Sequence, residues 1–366
     1  MNLLTAAEQW SKRPADERYW TINDAWSDAK KYKDKSTEYP CLPLDQLRII
    51  DDQGEVCIQG QTNKVLSHHA FNQLATRIKA PANYLRSLPA ELAAQNLDYG
   101  MRSLDTANIL MHGLTVRAMT SDRYSRIWNV DVFNQLKDFE HEGWVAPPAR
   151  PIHGSTKVAS KELNSSSQGL GIKEGDLIGP AGIYLSNHDM FCFMVDDQNP
   201  ISDPSGQPLY RGFFIRNSEV GGISLSLTTF YFQSVCGNHI VWDVENIQNL
   251  KIRHIGRNGA SALALCRNQL NDFKHKPSHK IEAKMVALSQ EEIGSNMEEV
   301  VTNVFRQISI TKKQAEQGYI IAQQNNFNPR SRWGMVEGLT RYSQTLSYAD
   351  ERNKIDREAG KLLCLN

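Results

Sequence analysis

The chain has 366 residues with 41 Lys+Arg against 41 Asp+Glu, a formal charge of zero, so it lacks the uniformly basic coat of a general nucleic-acid packaging protein. Hydrophobic residues make up 40% and charged residues 22%, which excludes a disordered chain and suits one sizeable core or two smaller ones. The most apolar stretches, Ile109 to Leu114 and Ile183 to Val195, are broken by polar residues well short of the roughly 20 apolar positions of a spanning helix, so no membrane partner is expected.

Met1 to Ser11 has neither a basic start nor an apolar core nor a small-residue cleavage site, and predicts a cytoplasmic protein. Residues 1–43, rich in Trp and Lys, predict an arm leading into an α+β core domain over 44–258, and the Lys30, Lys31, Lys33 and Lys35 run predicts a solvated helix face. Asp52-Gln53-Gly54 supplies turn chemistry between Leu47–Ile50 and Val56–Ile58, a hairpin signal. Ser67 is placed to cap a helix bearing Ala70, Phe71, Leu74 and Ile78, and Pro81 and Pro89 punctuate two more helices up to Met101. Asn108 to Met119 predicts a strand, and Asn129 the cap of a helix carrying Val130, Phe133, Leu136 and Phe139.

From 145 to 180 the composition turns to Ser, Gly and Pro, predicting a long loop. Strands follow at 182–195, 209–217, 223–234, 239–244 and 250–255, an antiparallel meander. Residues 259–366 predict a helical C-terminal region, with capping boxes beginning at Ser289 and Thr311 and a buried stripe of Val300, Val301, Val304, Phe305 and Ile308. The fold class is therefore α+β: a helical N-terminal cluster, a twisted antiparallel meander, and a helical final third.

Two motifs in the first helical cluster, Ala70-Phe71-Asn72-Gln73-Leu74-Ala75 and Pro81-Ala82-Asn83-Tyr84-Leu85-Arg86-Ser87-Leu88-Pro89, recur with later ones in a fixed order. These are Ser121-Asp122-Arg123-Tyr124, the stretch Arg216-Asn217-Ser218-Glu219-Val220-Gly221 running into Val235-Cys236-Gly237-Asn238, and Trp333-Gly334 with Gly338-Leu339-Thr340. Over roughly residues 44 to 345 the chain resembles the uncharacterised phage/plasmid-like protein family, a domain-of-unknown-function family of prophages, plasmids and integrative elements. It departs from the family's Cys-Ser-Asn-Gly motif, having Cys236-Gly237-Asn238-His239. The resemblance implies a mobile-element setting in replication, recombination or defence evasion and supplies no mechanism.

Chemistry is sparsely signalled. There is no Walker loop, dinucleotide fingerprint, zinc spacing or nucleophile elbow, and the six cysteines are scattered, so no cofactor, metal or catalytic residue is assigned. Positive charge is concentrated in residues 251–286, where Lys251, Arg253, Arg257, Arg267, Lys274, Lys276, Lys280 and Lys284 face only Asp272 and Glu282. Such a patch holds phosphates by counterion release, and Tyr124, Trp128, Phe213, Phe214, Tyr231 and Phe232 offer candidate stacking faces for unpaired bases. Arg123, Tyr124 and Arg126 precede a helix, an arrangement that suits an anion. Strand alternation puts Arg211 and Arg216 on opposite faces and leaves one of them to pair with a group such as Glu219.

The expected nucleic-acid contacts are thus Arg123, Tyr124, Arg126, Arg216, Lys251, Arg253, Arg257, Arg267 and Lys274, and the expected partner is single-stranded DNA, with a homo-oligomer possible. A curved sheet bracketed by helices also suits the ring-forming single-strand annealing proteins by element order alone. Two other readings stay open: an interaction module acting on a host factor, and a Mg²⁺-dependent nuclease using Asp196, Asp197 or Asp243.

Overall fold

Each of two β-sheets buries an apolar face beneath helices, and the chain visits both. The computed structural model describes residues 14–146, 156–157, 177–178, 182–202, 204, 206, 208–233, 238–240, 250–256, 259–346 and 349–363. In chain order the elements begin with β1 (Arg18–Tyr19), α1 (Ile22–Asp34), β2 (Ser36–Pro43), β3 (Ile49–Asp52), β4 (Glu55–Ile58) and β5 (Lys64–Leu66). Then come α2 (His68–Arg77), α3 (Ala82–Ser87), α4 (Ala90–Met101), β6 (Thr106–His112), β7 (Thr115–Thr120) and α5 (Asn129–His141). The middle of the chain holds β8 (Trp144–Val145), β9 (Thr156–Lys157), β10 (Leu177–Ile178), β11 (Ile183–Leu185), β12 (Met190–Ser202), β13 (Pro208–Asn217), β14 (Leu225–Gln233), β15 (Asn238–Ile240) and β16 (Leu250–Ile252). Six helices close it: α6 (Gly259–Lys274), α7 (Ser278–Gln290), α8 (Met297–Gln307), α9 (Lys312–Gln324), α10 (Arg332–Gln344) and α11 (Ala349–Leu362).

The first sheet runs β2-β6-β7-β5-β4-β3, antiparallel except where β5 lies parallel to β7. Its core joins Ala107, Ile109, Val116 and Met119 of the strands to Phe71, Leu74, Leu85, Leu97 and Met101 of α2 to α4. Ser67 caps α2 by accepting from the Ala70 N–H, and the β3–β4 hairpin turns at Gln53-Gly54, as the sequence predicts. The second sheet is the expected meander, β11-β12-β13-β14-β15, with β1 on its other edge, β8 on β12 and β16 on β14. Met190, Cys192, Met194, Phe213, Ile215, Leu225 and Leu227 pack in one core with Phe133, Leu270, Ile281, Val304 and Leu339 of the helices. With helices at both ends and sheet between them, the fold is α+β.

Several local expectations change. In the described part of the arm, 14–43, α1 buries Ile22, Ala25 and Ala29 in the second core, while β2 is an edge strand of the first sheet. Residues 108–119 form a hairpin rather than one strand, because Gly113, at φ +58°, takes the positive φ that a two-residue primed turn requires. The segment 182–195 splits at a turn in which the Ser186 N–H donates to the Asp189 carbonyl. Asn129 lies inside α5 and does not cap it. Ser289 falls near the end of α7, and Asn296 caps the next helix, whereas Thr311 and Gln314 form the expected capping box on α9. Phe305 is exposed, outside the buried stripe of α8. The lysine run is solvated, with Lys30 and Lys31 paired to Asp34 and Asp28 on their own helix. Of the 145–180 loop, the described part includes the short β9–β10 pair; most of the rest lies outside the described residues.

Candidate nucleic-acid interface

A β-bulge sets the geometry where the two sheets meet. Leu110 pairs with Ala118 and Met111 with Val116, so Arg117 is the extra residue of β7. Its buried guanidinium reaches two turns: Nη1 lies 3.3 Å from Glu219 Oε2 in the turn after β13, and Nη2 donates at 2.7 Å to the carbonyl of Asn187 in the turn between β11 and β12. Val220, the residue after Glu219, packs on Leu110 and Ala118 on the back of the first sheet. The Val220 carbonyl accepts from Gln73 Nε2 at 2.6 Å and lies 3.0 Å from His69 Nε2. The 217–222 turn is therefore the wedge that joins the two halves.

Glu219 also stands at the start of α5, where its Oε1 accepts from the Asn129 N–H at 2.9 Å, a favourable place for a carboxylate. Burial nonetheless pushes its carboxyl up, opposed chiefly by Arg117, and burial pushes Arg117 down. Arg126 completes the network: its Nε donates to Glu38 Oε1 at 3.0 Å and its Nη1 to the Glu219 carbonyl, with 2% of its side chain exposed. Asn217 Nδ2 donates to Asn129 Oδ1 and to the Ile127 carbonyl, both at 2.8 Å, which employs the amide that the sequence assigned to capping.

Above this network two turns pair. Tyr124 bridges Ile255, the Ser125 N–H donates to the His254 carbonyl at 3.0 Å, and the Gly256 N–H donates to the Arg123 carbonyl at 3.2 Å. The Tyr124 and His254 rings stack 5.2 Å apart at 6°. The Tyr124 hydroxyl lies 3.0 Å from the Ser218 carbonyl, 3.2 Å from that of Glu219 and 3.0 Å from His254 Nδ1. Burial, helped by Arg126, lowers the His254 pKa to about 4, so the ring is neutral near pH 7.

The expected contact residues now separate. Arg123, Lys251 and Arg253 are exposed, and their side chains have no hydrogen-bond or ion-pair partner among the described residues. Tyr124 and Arg126 are tied into the frame by their hydrogen bonds and by the Arg126–Glu38 pair, and Arg126 also lines the groove between α5 and α6. Arg216 is half-buried and donates from Nε to Ser226 Oγ at 2.9 Å. Arg267 pairs with Asp138 at 2.7 Å and Lys274 with Glu142, so a carboxylate of α5 and the one just past its end pair with both cations of α6. Arg257 lies outside the described residues. Arg211 and Arg216 do occupy opposite faces, yet Glu219 pairs with neither: Arg211 Nη2 donates to the Lys276 carbonyl at 2.7 Å. Phe213, Phe214 and Tyr231 are interior and offer no stacking face, while Phe232's side chain is outside the described set.

Sequence reasoning missed Arg117 and His254 as the organising groups. A lone arginine in the apolar run 109–119 is the signal for the first, since a buried charge needs a partner. Beside the paired turns, a groove of about 540 Å³ runs between α5 and α6 past Asn134, Gln135 and Asn268. A second cleft of about 200 Å³ lies on the other side of the first turns of α6, and Ile127 and Gly259 line both.

Among the described residues no group of three His, Cys, Asp or Glu side chains is placed to hold a metal ion. Asp196 lies in β12 where its register with β13 shifts, Oδ1 accepting from the Gln198 and Asn199 N–H groups, whereas Asp243 and the side chain of Asp197 are outside the described set. No described helix is long and apolar enough to cross a membrane. No protein-family model matches the chain, and no curated protein or solved structure matches it.

Proposed function

We propose that the chain is a non-enzymatic, cytoplasmic mobile-element protein that holds single-stranded nucleic acid, as a strand-annealing or recombination and replication accessory. The observation that carries this reading is the set Arg123, Lys251 and Arg253, exposed and unpaired among the described residues: Arg123 and Arg253 lie on one pair of hydrogen-bonded turns, Arg253 lines the cleft beside α6, and Lys251 stands two residues before Arg253 in β16. Arg267, Lys274 and Arg216 already have carboxylate or hydroxyl partners, whereas Lys280 and Lys284 of α7, in the same basic segment, have none among the described residues. Phosphates attract such charges through counterion release, and the grooves flanking α6 give an unpaired strand a path. The mobile-element setting comes from the resemblance to the phage/plasmid-like family, and assembly into a homo-oligomer belongs to the same proposal.

Fluorescence-anisotropy titration of a labelled single-stranded oligonucleotide tests it, with and without Mg²⁺, at two salt concentrations, followed by a gel of the recovered DNA. Binding that weakens steeply with salt and leaves the DNA intact supports the reading. Intact DNA with no binding overturns it in favour of a protein partner, and shortened DNA overturns it in favour of a nuclease.

A further inference from the structure

The joint between the two halves gathers ionisable groups where apolar contact is small. Among the described residues the two large cores stay separate, and the cluster between them has three buried side chains, Leu110, Ala118 and Val220. Around it the links are polar: the Arg117–Glu219 pair, Gln73 donating to the Val220 carbonyl, and the Tyr124 hydroxyl held against the Ser218 and Glu219 carbonyls. Three histidines face this joint. The His69 ring of α2 lies 5.6 Å from that of His188 in the β11–β12 turn, with His68 beside it and its Nε2 on the Val220 carbonyl. His112, ending β6, lies 5.4 Å from Tyr32 of α1, which packs on the second core, and has Arg117 and Lys35 as charged neighbours. His254, following β16, stacks on Tyr124, whose carbonyl accepts from Asn108 of β6, and has Arg126 as its charged neighbour. Each of these contacts joins one half to the other.

At neutral pH the formal charges balance, Arg117 and Arg126 against Glu219 and Glu38. Burial lowers the pKa of all three rings, helped by His68 at His69, by Arg117 and Lys35 at His112, and by Arg126 at His254. An imidazolium carries an N–H on both nitrogens, whichever tautomer it came from. A proton on His112 or His254 therefore leaves a donor at Nδ1 or Nε2 that has no acceptor, and adds a cation beside Arg117 or Arg126. Opening the joint hydrates the rings and restores their ordinary affinity for protons, so acid favours the open form. Glu219 works in the opposite sense, because burial pushes its carboxyl up and the closed joint holds its proton more tightly. Three rings act against that one carboxyl.

We propose that this joint is an acid-operated hinge, in which protonation of His69, His112 and His254 parts the two halves while each keeps its own sheet and core. The histidines' contribution to the closed form is full above about pH 6.5 and is lost as pH falls through their lowered values, about 4 for His254. The hinge does not depend on the strand-holding reading above, since it concerns the chain without a ligand.

Small-angle X-ray scattering and far-UV circular dichroism of the whole chain, taken from pH 7 down to pH 4 and back, test it. The radius of gyration is expected to rise reversibly by about a tenth or more over the roughly 21 Å of a compact chain of this length, with the circular dichroism retained. A radius unchanged down to pH 4 overturns the hinge. A radius that rises only together with loss of circular dichroism overturns it too, since that is unfolding of the halves themselves. Combining His69→Gln, His112→Gln and His254→Phe is expected to move the midpoint of the rise to lower pH. A midpoint that stays in place in the folded variant overturns the histidines as its cause, and the two curves of the unaltered protein decide even where the variant fails to fold.

Discussion

At the scale of the residue, Glu219 is where charge and architecture meet. Two arginines, a helix N-terminus and a bulged strand converge on its carboxylate or its carbonyl. Glu219→Gln keeps the shape and removes the countercharge of Arg117, which has 6% of its side chain exposed; a loss of about 3–5 kcal/mol in urea unfolding is expected, and a change below about 1 kcal/mol contradicts the network's role.

His254 gives the second residue-scale prediction. Its pKa is about 4 in the folded chain against 6.5 for the free side chain, so between these values the unfolded state binds more protons. Its contribution to stability is full above about pH 6.5 and is lost as pH falls through about 4; near pH 5 the loss is on the order of 2 kcal/mol. Glu219, whose carboxyl is pushed up, works in the opposite sense, but it is common to both proteins in a comparison with His254→Phe, which keeps a ring against Tyr124. The parent should lose more melting temperature than the variant between pH 7 and pH 5, and equal losses would contradict the assignment.

At the scale of the element, legibility in the sequence follows whether the deciding atoms are local. Ser67 and Thr311 cap their helices because the hydroxyl and the N–H it serves are three residues apart. Asn129 carried the same local signal, but its side chain is taken by Asn217, 88 residues away in sequence, and Glu219 takes over the N–H at the helix start. The Gly113 turn was readable from a glycine within an apolar run. Arg117's bulge was not, because it shows only when β7 is laid against β6.

The Trp333-Gly334 and Gly338-Leu339 segment is explained by packing rather than ligand contact. A Cβ at Gly338 would be driven onto the Gly318 carbonyl oxygen, and one at Gly318 would meet Leu339 Cδ2 at 2.7 Å, so α9 and α10 touch backbone to backbone. Gly338→Ala is expected to cost about 1–3 kcal/mol or more in thermal unfolding, against about 1 kcal/mol for Thr311→Ala at the α9 cap. A neutral Gly338→Ala would refute the close approach.

At the scale of the whole molecule, the prediction concerns which charges are free. Arg123→Ala combined with Arg253→Ala should weaken single-strand binding and lower the slope of log K against log salt by about 1.4, two phosphate contacts at roughly 0.7 each. Arg267→Ala with Lys274→Ala removes as much formal charge, yet should leave that slope nearly unchanged, because Asp138 and Glu142 already hold those cations. The reverse order in titrations at two or more salt concentrations would mean that the α6 cations, not the paired turns, meet the strand.

The α+β class, the helices with their own caps, the meander and the surplus of charge in 251–286 are legible in the residues, since each depends on periodicity, turn chemistry or composition within a few positions. Which cations stay free, the joining of Tyr124 and Arg126 to the frame, and the place of His254 in a cleft wall emerge only once the chain is packed. The physical reason is that an ion pair or a buried hydrogen bond is settled by separation in space. Residues as far apart as Arg117 and Glu219, or Arg267 and Asp138, leave no mark on one another along the chain.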